Sequence, residues 1–220
     1  MTKKTRLIIQ CSLLLALAGF IMLFNFAGRQ MIEQERVYVE ARTEYSGLRE
    51  LAQGGDICET ESIDWDALRA INPDVVGWLY VPDTGISYPV VQGEDNAHYL
   101  RHTFSGERNA SGTIFLDFRD STDFHSAARV FGHNMRDGSM FAELLSWTGD
   151  MFIIHTPGDT LGIMVTARGA VSVRDEIFTA QALADEIVLV TCVNGRPDLR
   201  WVVRGEPIRH SYLSRRYENE

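Results

Sequence analysis

The sequence predicts a mainly β fold: a small closed or nearly closed barrel with short peripheral helices, preceded by one transmembrane helix and a helical stalk. Three observations predict it. From Asn72 onward the chain breaks into many short apolar runs separated by turn residues. Helical patterns in that region are few and brief. Near the N-terminus one apolar segment of membrane-spanning length stands alone. The resulting division is a tail at 1–6, a transmembrane helix at 7–27, a stalk at 28–60 and the barrel domain at 61–220. The chain has 220 residues, 45% hydrophobic and 23% charged. Setting aside anchor and stalk leaves about 155 residues, enough for one well-buried domain.

The segment 7–27 is interrupted only by the polar side chains Gln10, Ser12 and Asn25. About 21 residues give roughly 31 Å of helix, which matches the hydrocarbon core. Lys3, Lys4 and Arg6 crowd its N-terminal flank, whereas Arg29 and Arg36 are more dilute beyond it. That asymmetry predicts a single pass with a cytoplasmic N-terminus and the rest outside the cell. Ala16-Leu17-Ala18 has the small-x-small form of a cleavage site, but the apolar run continues through 20–26, which favours an uncleaved anchor. The stalk is rich in helix formers, with apolar contacts expected at Tyr45, Leu48 and Leu51 and a break at Gly54-Gly55-Asp56.

Residues 62–71 read as a short amphipathic helix capped by Ser62 or Asp64, with Trp65, Leu68 and Ile71 as its buried stripe. Strands follow at 75–81 and 86–91, joined by the turn Pro82-Asp83-Thr84-Gly85. Pro89 suggests an edge or a bulge. A helical turn is expected at 96–100, strands at 112–116 and 128–131, and a short helix at 141–147. Further strands are expected at 150–155, 160–166 and 169–174, then a brief helix at 178–184. The run Ile187-Val188-Leu189-Val190 suits a strand buried on both faces. The chain then turns through Asn194, Gly195 and Pro197 and returns in Trp201-Val202-Val203.

The formal net charge of −9 gives a surface that repels nucleic acid, and there is no basic stripe. No paired C-x-x-C spacing occurs, and nothing indicates a metal or an organic cofactor, so none is expected. Three cysteines are too few for a disulfide scaffold. Cys11 lies in the apolar segment. Cys58 and Cys192 both fall outside the bilayer, where they are able to pair.

Cys192 ends the two-face-buried strand where it meets a loop. A cysteine there is held rigidly and still meets a ligand; it also suits a small hydrophobe finishing a core strand. Among the six histidines, His133 has a distinctive setting. An apolar strand ends, Gly132 gives clearance, and the imidazole emerges before a helix. His98, His102, His125, His155 and His210 lack such a setting and read as structural. If the strands leading to His133 and Cys192 are neighbours, the two side chains face each other. An ordinary thiol is only a few per cent ionised at neutral pH. A nearby imidazole stabilises the thiolate or gives a proton to a leaving amine. An arginine keeps its charge and donates hydrogen bonds to an oxyanion. Of the first three arginines that follow, Arg196 sits in the turn and reads as solvated. Arg200 opens the returning strand, and Arg204 has the same parity but lies about 13 Å further along. Arg200 is therefore the candidate. Cys, His and Arg together suit acyl transfer through a thioester, although spacing alone equally allows a buried Cys beside a fortuitous loop His.

Leu189-Val190-Thr191-Cys192 with Arg200 resembles the T-L-x-T-C…R signature of sortases, the membrane-anchored cysteine transpeptidases of Gram-positive bacteria. The fuller resemblance is to class B. It is carried by Asn72-Pro73-Asp74-Val75-Val76-Gly77-Trp78-Leu79, by Tyr88-Pro89-Val90-Val91-Gln92-Gly93, and by the Gly132 to Phe141 segment with its Gly-His-Asn-Met. It covers roughly 63–208. The resemblance implies an eight-stranded sortase β-barrel. It implies Cys192 as nucleophile on the Thr–Gly bond of an xPxTG sorting motif, His133 as general acid and base, and Arg200 as the group that holds substrate and oxyanion. Thr191, Asn134 and Val190 are the implied substrate-binding residues. The implied partners are a surface protein or pilin bearing the sorting signal, and an amine acceptor on lipid II, a peptidoglycan cross-bridge or a pilin lysine. Val188 stands where the signature has its first Thr. The connection 166–187 is shorter than the helix-bearing insertion usual in class B. A thiol peptidase that mainly hydrolyses, or a non-catalytic surface binding module, are the alternatives.

Overall fold

The apolar N-terminal segment belongs to one continuous helix, α1 (Lys3–Ala52), in the computed structural model, which describes residues 3–52, 63–179 and 185–208. The chain falls into two units, Met1–Glu40 and Ala41–Glu220. In the first unit Leu13, Leu14, Leu15, Phe20, Met22, Leu23 and Phe24 are each more than half exposed. A run of unpartnered apolar side chains on a helix of this length fits a membrane anchor. The polar Asn25 donates to the Ile21 carbonyl at 2.8 Å, satisfying itself within the helix.

In the second unit the end of α1 uses one narrow stripe. Ala41, Tyr45, Leu48 and Ala52 are buried, at the spacing of a helix packed on one side. Leu51, expected to join them, lies off that stripe and is exposed. The expected break at Gly54-Gly55-Asp56, together with Cys58 and Ser62, lies outside the described residues. Helix α2 (Trp65–Ile71) begins at Asp64, whose Oδ1 accepts from the Ala67 amide at 2.9 Å. Only Leu68 of its expected stripe is fully buried; Trp65 is half-buried and Ile71 exposed, because so short a helix turns a single position inward.

Eight strands follow: β1 (Val75–Tyr80), β2 (Ser87–Val91), β3 (Ile114–Leu116), β4 (Ala128–Phe131), β5 (Met151–His155), β6 (Thr160–Ser172), β7 (Ile187–Val193) and β8 (Arg196–Ile208). They close into a barrel in the order β1-β2-β3-β4-β7-β8-β6-β5. Pro89 is not on an edge. It pairs with Trp78, and the β2–β3 ladder begins only at Val90, so its missing N–H breaks no bond there. The two strands expected at 160–166 and 169–174 are one. A bulge between Val165 and Ala167 shifts the register and interrupts the apolar pattern. Opposite the bulge stands Gly205, where a Cβ would sit 2.7 Å from both Ile163 Cγ2 and the Met164 carbonyl.

The helical turn expected at 96–100 is instead an irregular loop. Asp95 Oδ1 accepts from the amides of Ala97 and His98, and this local bonding competes with a helix. The expected helix at 141–147 is a 3-10 turn, Ala142–Leu145. The helix expected at 178–184 is likewise a 3-10 turn lying earlier, Glu176–Phe178, where Asp175 accepts from the Ile177 amide; residues 180–184 lie outside the described residues.

Strand β7 is apolar from Ile187 to Val190 because it serves two cores. Ile187 and Leu189 join the main core with Trp78, Phe104, Phe141 and Phe152, while Val188 and Val190 pack on Ile177 and Val202. At the start of β4 the protein buries charge. Arg129, 2% exposed, donates from its main-chain N, Nε and Nη2 to the Asp120 carboxylate. The buried Asp117 accepts from Arg119 at 2.7 and 2.8 Å and from Asn96 at 3.0 Å. Both arginines also reach the chain before β7, at the carbonyls of Phe178 and Thr179.

Candidate active site

Strand β7 runs between β4, parallel to it, and β8, antiparallel to it. The parallel register ends with Phe131 beside Val190. Two residues further on, each chain reaches its reactive candidate, His133 and Cys192. Three hydrogen bonds lace the two exits together. Gly132 N donates to the Val190 carbonyl at 3.1 Å, Thr191 Oγ1 to the Gly132 carbonyl at 2.8 Å, and Asn134 Nδ2 to the Cys192 carbonyl at 2.9 Å. Gly132 is required here by close approach. A Cβ would lie 2.5 Å from Ile114 Cδ1 and 2.7 Å from the Phe141 ring.

On the other side of β7, Cys192 pairs directly with Arg200, so the two side chains leave the sheet on one face. The register then shifts, and Val193 pairs with Arg196. Residues 197–199 of β8 therefore bulge relative to β7, while Leu199 stays paired with Ser172 of β6. Arg200 braces that bulge, donating from Nη1 to the carbonyls of Leu199 at 2.8 Å and Pro197 at 3.1 Å. A guanidinium has five N–H donors, so this leaves others for a ligand.

Cys192, His133 and Arg200 line one cleft of about 240 Å³, with Asn96, Leu100, Phe115, Phe131, Gly132, Val190 and Thr191. Cys192 is an exposed free thiol, and His133 and Arg200 are half-buried. His133 Nε2 lies 2.9 Å from the Leu100 carbonyl. A carbonyl only accepts, so this bond requires the hydrogen on Nε2 and leaves Nδ1 to exchange a proton. The aromatic and aliphatic walls suit an apolar substrate side chain, and the polar groups gather at the cysteine end.

The remaining candidates are placed as follows. Val190 is buried in the second core and forms part of the cleft floor. Thr191 is buried with its hydroxyl on Gly132, and Asn134 is tied to the Cys192 main chain. Arg196 pairs with Asp198 in solvent. Arg204 pairs with Glu186. His98 and His102 stack on one another, and His155 is buried against Thr160. Among the described residues no group of three His, Cys, Asp or Glu is placed to hold a metal ion. Asn96 and Leu100 were not singled out from sequence. Their loop carries no motif, and they reach the cleft only through tertiary bonds. Asn96 Nδ2 donates to Asp117, and its Oδ1 accepts from the Phe118 amide.

Comparison with known proteins gives a consistent picture. The family model for the sortase domain matches residues 79–208. Sortase B of Listeria monocytogenes is 42% identical over 91 residues, which cover 41% of this chain and 37% of that protein. Sortase B of Staphylococcus aureus is 29% identical over 123 residues, covering 53% and 50%. The chain thus spans no more than half the length of these curated relatives. Among solved structures, a class B sortase of Streptococcus pyogenes involved in pilus biogenesis is 27% identical, with a TM-score of 0.60 over 67% of this chain and 100% of that one. Sortase B of Bacillus anthracis gives a TM-score of 0.67 over 80% and 99%, at 22% identity, which speaks to the fold alone.

Proposed function

The chain belongs to the sortase family, and from that premise we propose that it is a membrane-anchored cysteine transpeptidase of the class B kind. It cuts an xPxTG sorting motif between Thr and Gly and passes the acyl group to a primary amine, on a cell-wall precursor or a pilin lysine. The observation that carries this reading is the convergence of Cys192, His133 and Arg200 on one cleft, where the exits of β4 and β7 meet β8.

The chemistry starts from the Cys192 thiolate and the His133 imidazolium. The sulfur attacks the threonine carbonyl carbon. Negative charge collects on the carbonyl oxygen, where Arg200 donates an N–H. The C–N bond breaks, and the glycine amine leaves with the proton from His133. A thioester to Cys192 remains. The incoming amine attacks it, His133 takes the amine's proton, and the C–S bond breaks to return the thiolate. Val190 supplies apolar floor, while Thr191 and Asn134 hold the two exits in register beside the substrate. The N-terminus lies in the cytoplasm, which places the barrel outside the cell with its substrates.

The test is a panel of quenched sorting-motif peptides given with an amine. Cleavage dependent on Cys192, with aminolysed product exceeding hydrolysed product, is expected. Predominant hydrolysis identifies a thiol peptidase instead. A non-catalytic module predicts a Cys192 inert to iodoacetamide or bonded to Cys58, which intact mass with and without reductant reveals.

A further inference from the structure

The loop that presents His133 is held from outside the cleft. Residues 132–141 fold back on themselves. Phe141 N donates to the His133 carbonyl at 2.8 Å, Gly138 N to Met135 at 3.1 Å, and Asn134 bridges to Met140. Met140 has a φ of 57°, an uncommon value away from glycine, so the return of the loop is held by its surroundings.

Two contacts supply that hold, and both lead to residues 41–52 of α1. The first is an ion pair. Arg42 places Nη2 2.9 Å and Nε 3.1 Å from Asp137 Oδ2. Asp137 Oδ1 meanwhile accepts from the amide and hydroxyl of Ser139 at 3.1 and 2.7 Å. Arg42 is half-exposed, but the Asp137 side chain is only 7% exposed. Burial pushes the Asp137 carboxyl up, yet the Ser139 bonds and the Arg42 charge outweigh it and hold the group below its ordinary value. The second contact runs through two rings. Met140 N donates to Tyr88 Oη at 3.1 Å. The Tyr88 ring meets the Tyr45 ring edge-on at 5.3 Å, and the Arg49 guanidinium lies 5.6 Å from the Tyr88 centroid. Tyr45 is itself anchored, donating to the Gly112 carbonyl at 2.6 Å.

We infer that residues 41–52 of α1 are a positioning element for His133, gripping the 132–141 loop through Arg42–Asp137 and through Tyr45–Tyr88–Met140. This helix lines none of the cleft, yet it sets where the imidazole stands relative to Cys192. The inference rests on the reading of His133 as the proton carrier. Arg42 is a positioning residue: it acts on the reaction only through the loop.

The experiment uses the full chain in detergent micelles, as wild type, Arg42→Ala, Arg42→Lys, Tyr88→Phe and His133→Ala. Three quantities are measured: the pH–rate profile of iodoacetamide alkylation read at Cys192 by peptide mass, kcat and KM for a motif peptide, and the melting temperature. Arg42→Ala is expected to lower kcat about tenfold or more, with KM within about twofold and melting little changed. Its alkylation profile moves toward that of His133→Ala, and Arg42→Lys recovers part of both. Tyr88→Phe keeps the ring, loses the Oη acceptor, and shifts the profile in the same direction by less. An Arg42→Ala profile identical to wild type overturns the inference, whatever the peptide assay shows. So does a kcat loss that tracks a fall in melting temperature and is not recovered by lysine. If wild type cuts no motif peptide while Arg42→Ala still moves the alkylation profile, the positioning role stands and the substrate reading falls.

Discussion

The two ends of β4 handle polar chemistry in opposite ways. At its start, Arg129 is buried with its main-chain N, Nε and Nη2 on the Asp120 carboxylate and Nη1 on the Thr179 carbonyl. Two residues beyond its end, His133 is half-buried, its Nε2 on a backbone carbonyl, beside an exposed thiol. Charge taken out of water must be fully paired, or folding bears the cost. Groups meant to exchange protons and bonds with a ligand must keep capacity unspent. The buried cluster is therefore structure and the open rim is chemistry, although both are built from charged or titratable side chains at the two ends of one strand and its neighbours.

The sharpest way to break this contrast is a crossed pair of substitutions. Cys192→Ala is expected to abolish thioester formation, a loss on the order of a thousandfold or more. Cys192 is exposed, so the melting temperature stays within about 2 °C of wild type. Asp120→Ala does the reverse. It strips the buried Arg129 guanidinium of its hydrogen-bonded carboxylate, leaving only Asp117 at 3.8 Å, and destabilises by about 3–5 kcal/mol, while molecules that remain folded still alkylate at Cys192. Urea melts and alkylation rates on both variants check the crossover. A stable Asp120→Ala protein with an inert thiol would show that the ion cluster belongs to the reactive site.

Arg200→Lys sharpens the reactive side. Lysine keeps the charge but loses the planar fork that both braces the 197–199 bulge and reaches an oxyanion. The expected loss is about 2 kcal/mol of transition-state stabilisation, or about 30-fold in kcat/KM. Wild-type rates would move the role to another group. Gly132→Ala tests the hinge between strand and site. Its Cβ meets Ile114 and the Phe141 ring at less than contact distance, so about 1–3 kcal/mol of stability is lost and kcat falls as His133 is displaced. A melt and a rate equal to wild type would show that the Phe141 ring yields at no cost.

These two arginine and glycine positions also mark how far sequence reasoning reaches. The two-sided burial of β7 is legible because its apolar run is continuous, and a closed barrel is legible from the many short strands; that there are eight follows only from the resemblance, because the bulge inside β6 makes the apolar pattern read as nine. The clearance at Gly132 is legible too, since a glycine between an apolar strand and a histidine has few other uses. The Cys192–Arg200 pairing is not. A regular ladder continuing from Val193 beside Arg196 would set Cys192 beside Pro197, and only the bulge at 197–199 brings Arg200 into register. Arg200 is legible in the sequence only through charge, parity and resemblance. The nearness of His133 to Cys192 depends on a parallel β4–β7 pair whose partners lie 59 positions apart, which no local pattern encodes. Asn96 and Leu100 enter the cleft from a loop fixed by Asp117, and the grip of Arg42 on Asp137 spans 95 positions.

Acid is expected to loosen the buried cluster through Asp117. Burial alone would lift the Asp117 carboxyl, but hydrogen bonds from Arg119 and Asn96 and the Arg129 charge outweigh it and depress the group below the ordinary carboxylate value. A depressed native pKa contributes stability above the unfolded value, near about 4, and that contribution is lost as pH falls through the lower native value. The melting temperature is therefore expected to be flat above about pH 5 and to drop below about pH 4. In Arg119→Ala the drop becomes shallower, because less of the native preference for the carboxylate remains. An acid limb unchanged in that variant would assign the effect to other carboxyls.

The smallest effect belongs to Arg196→Ala. Arg196 stands in the same hairpin as Arg200, four residues from it, and carries the same charge. Its guanidinium is engaged in solvent with Asp198, at 2.9 and 3.0 Å, and both side chains are more than half exposed. The pairing raises the arginine and lowers the aspartate from their ordinary values, but exposed pairs of this kind add little to folding. Melting is expected to stay within measurement error and kcat/KM within about twofold of wild type. A larger fall in kcat with melting unchanged would mean that Arg196 reaches the substrate, and the division of labour along this hairpin would have to be redrawn. Silence at Arg196 beside a strong effect at Arg200 would instead tie the chemistry to strand register rather than to positive charge near the cysteine.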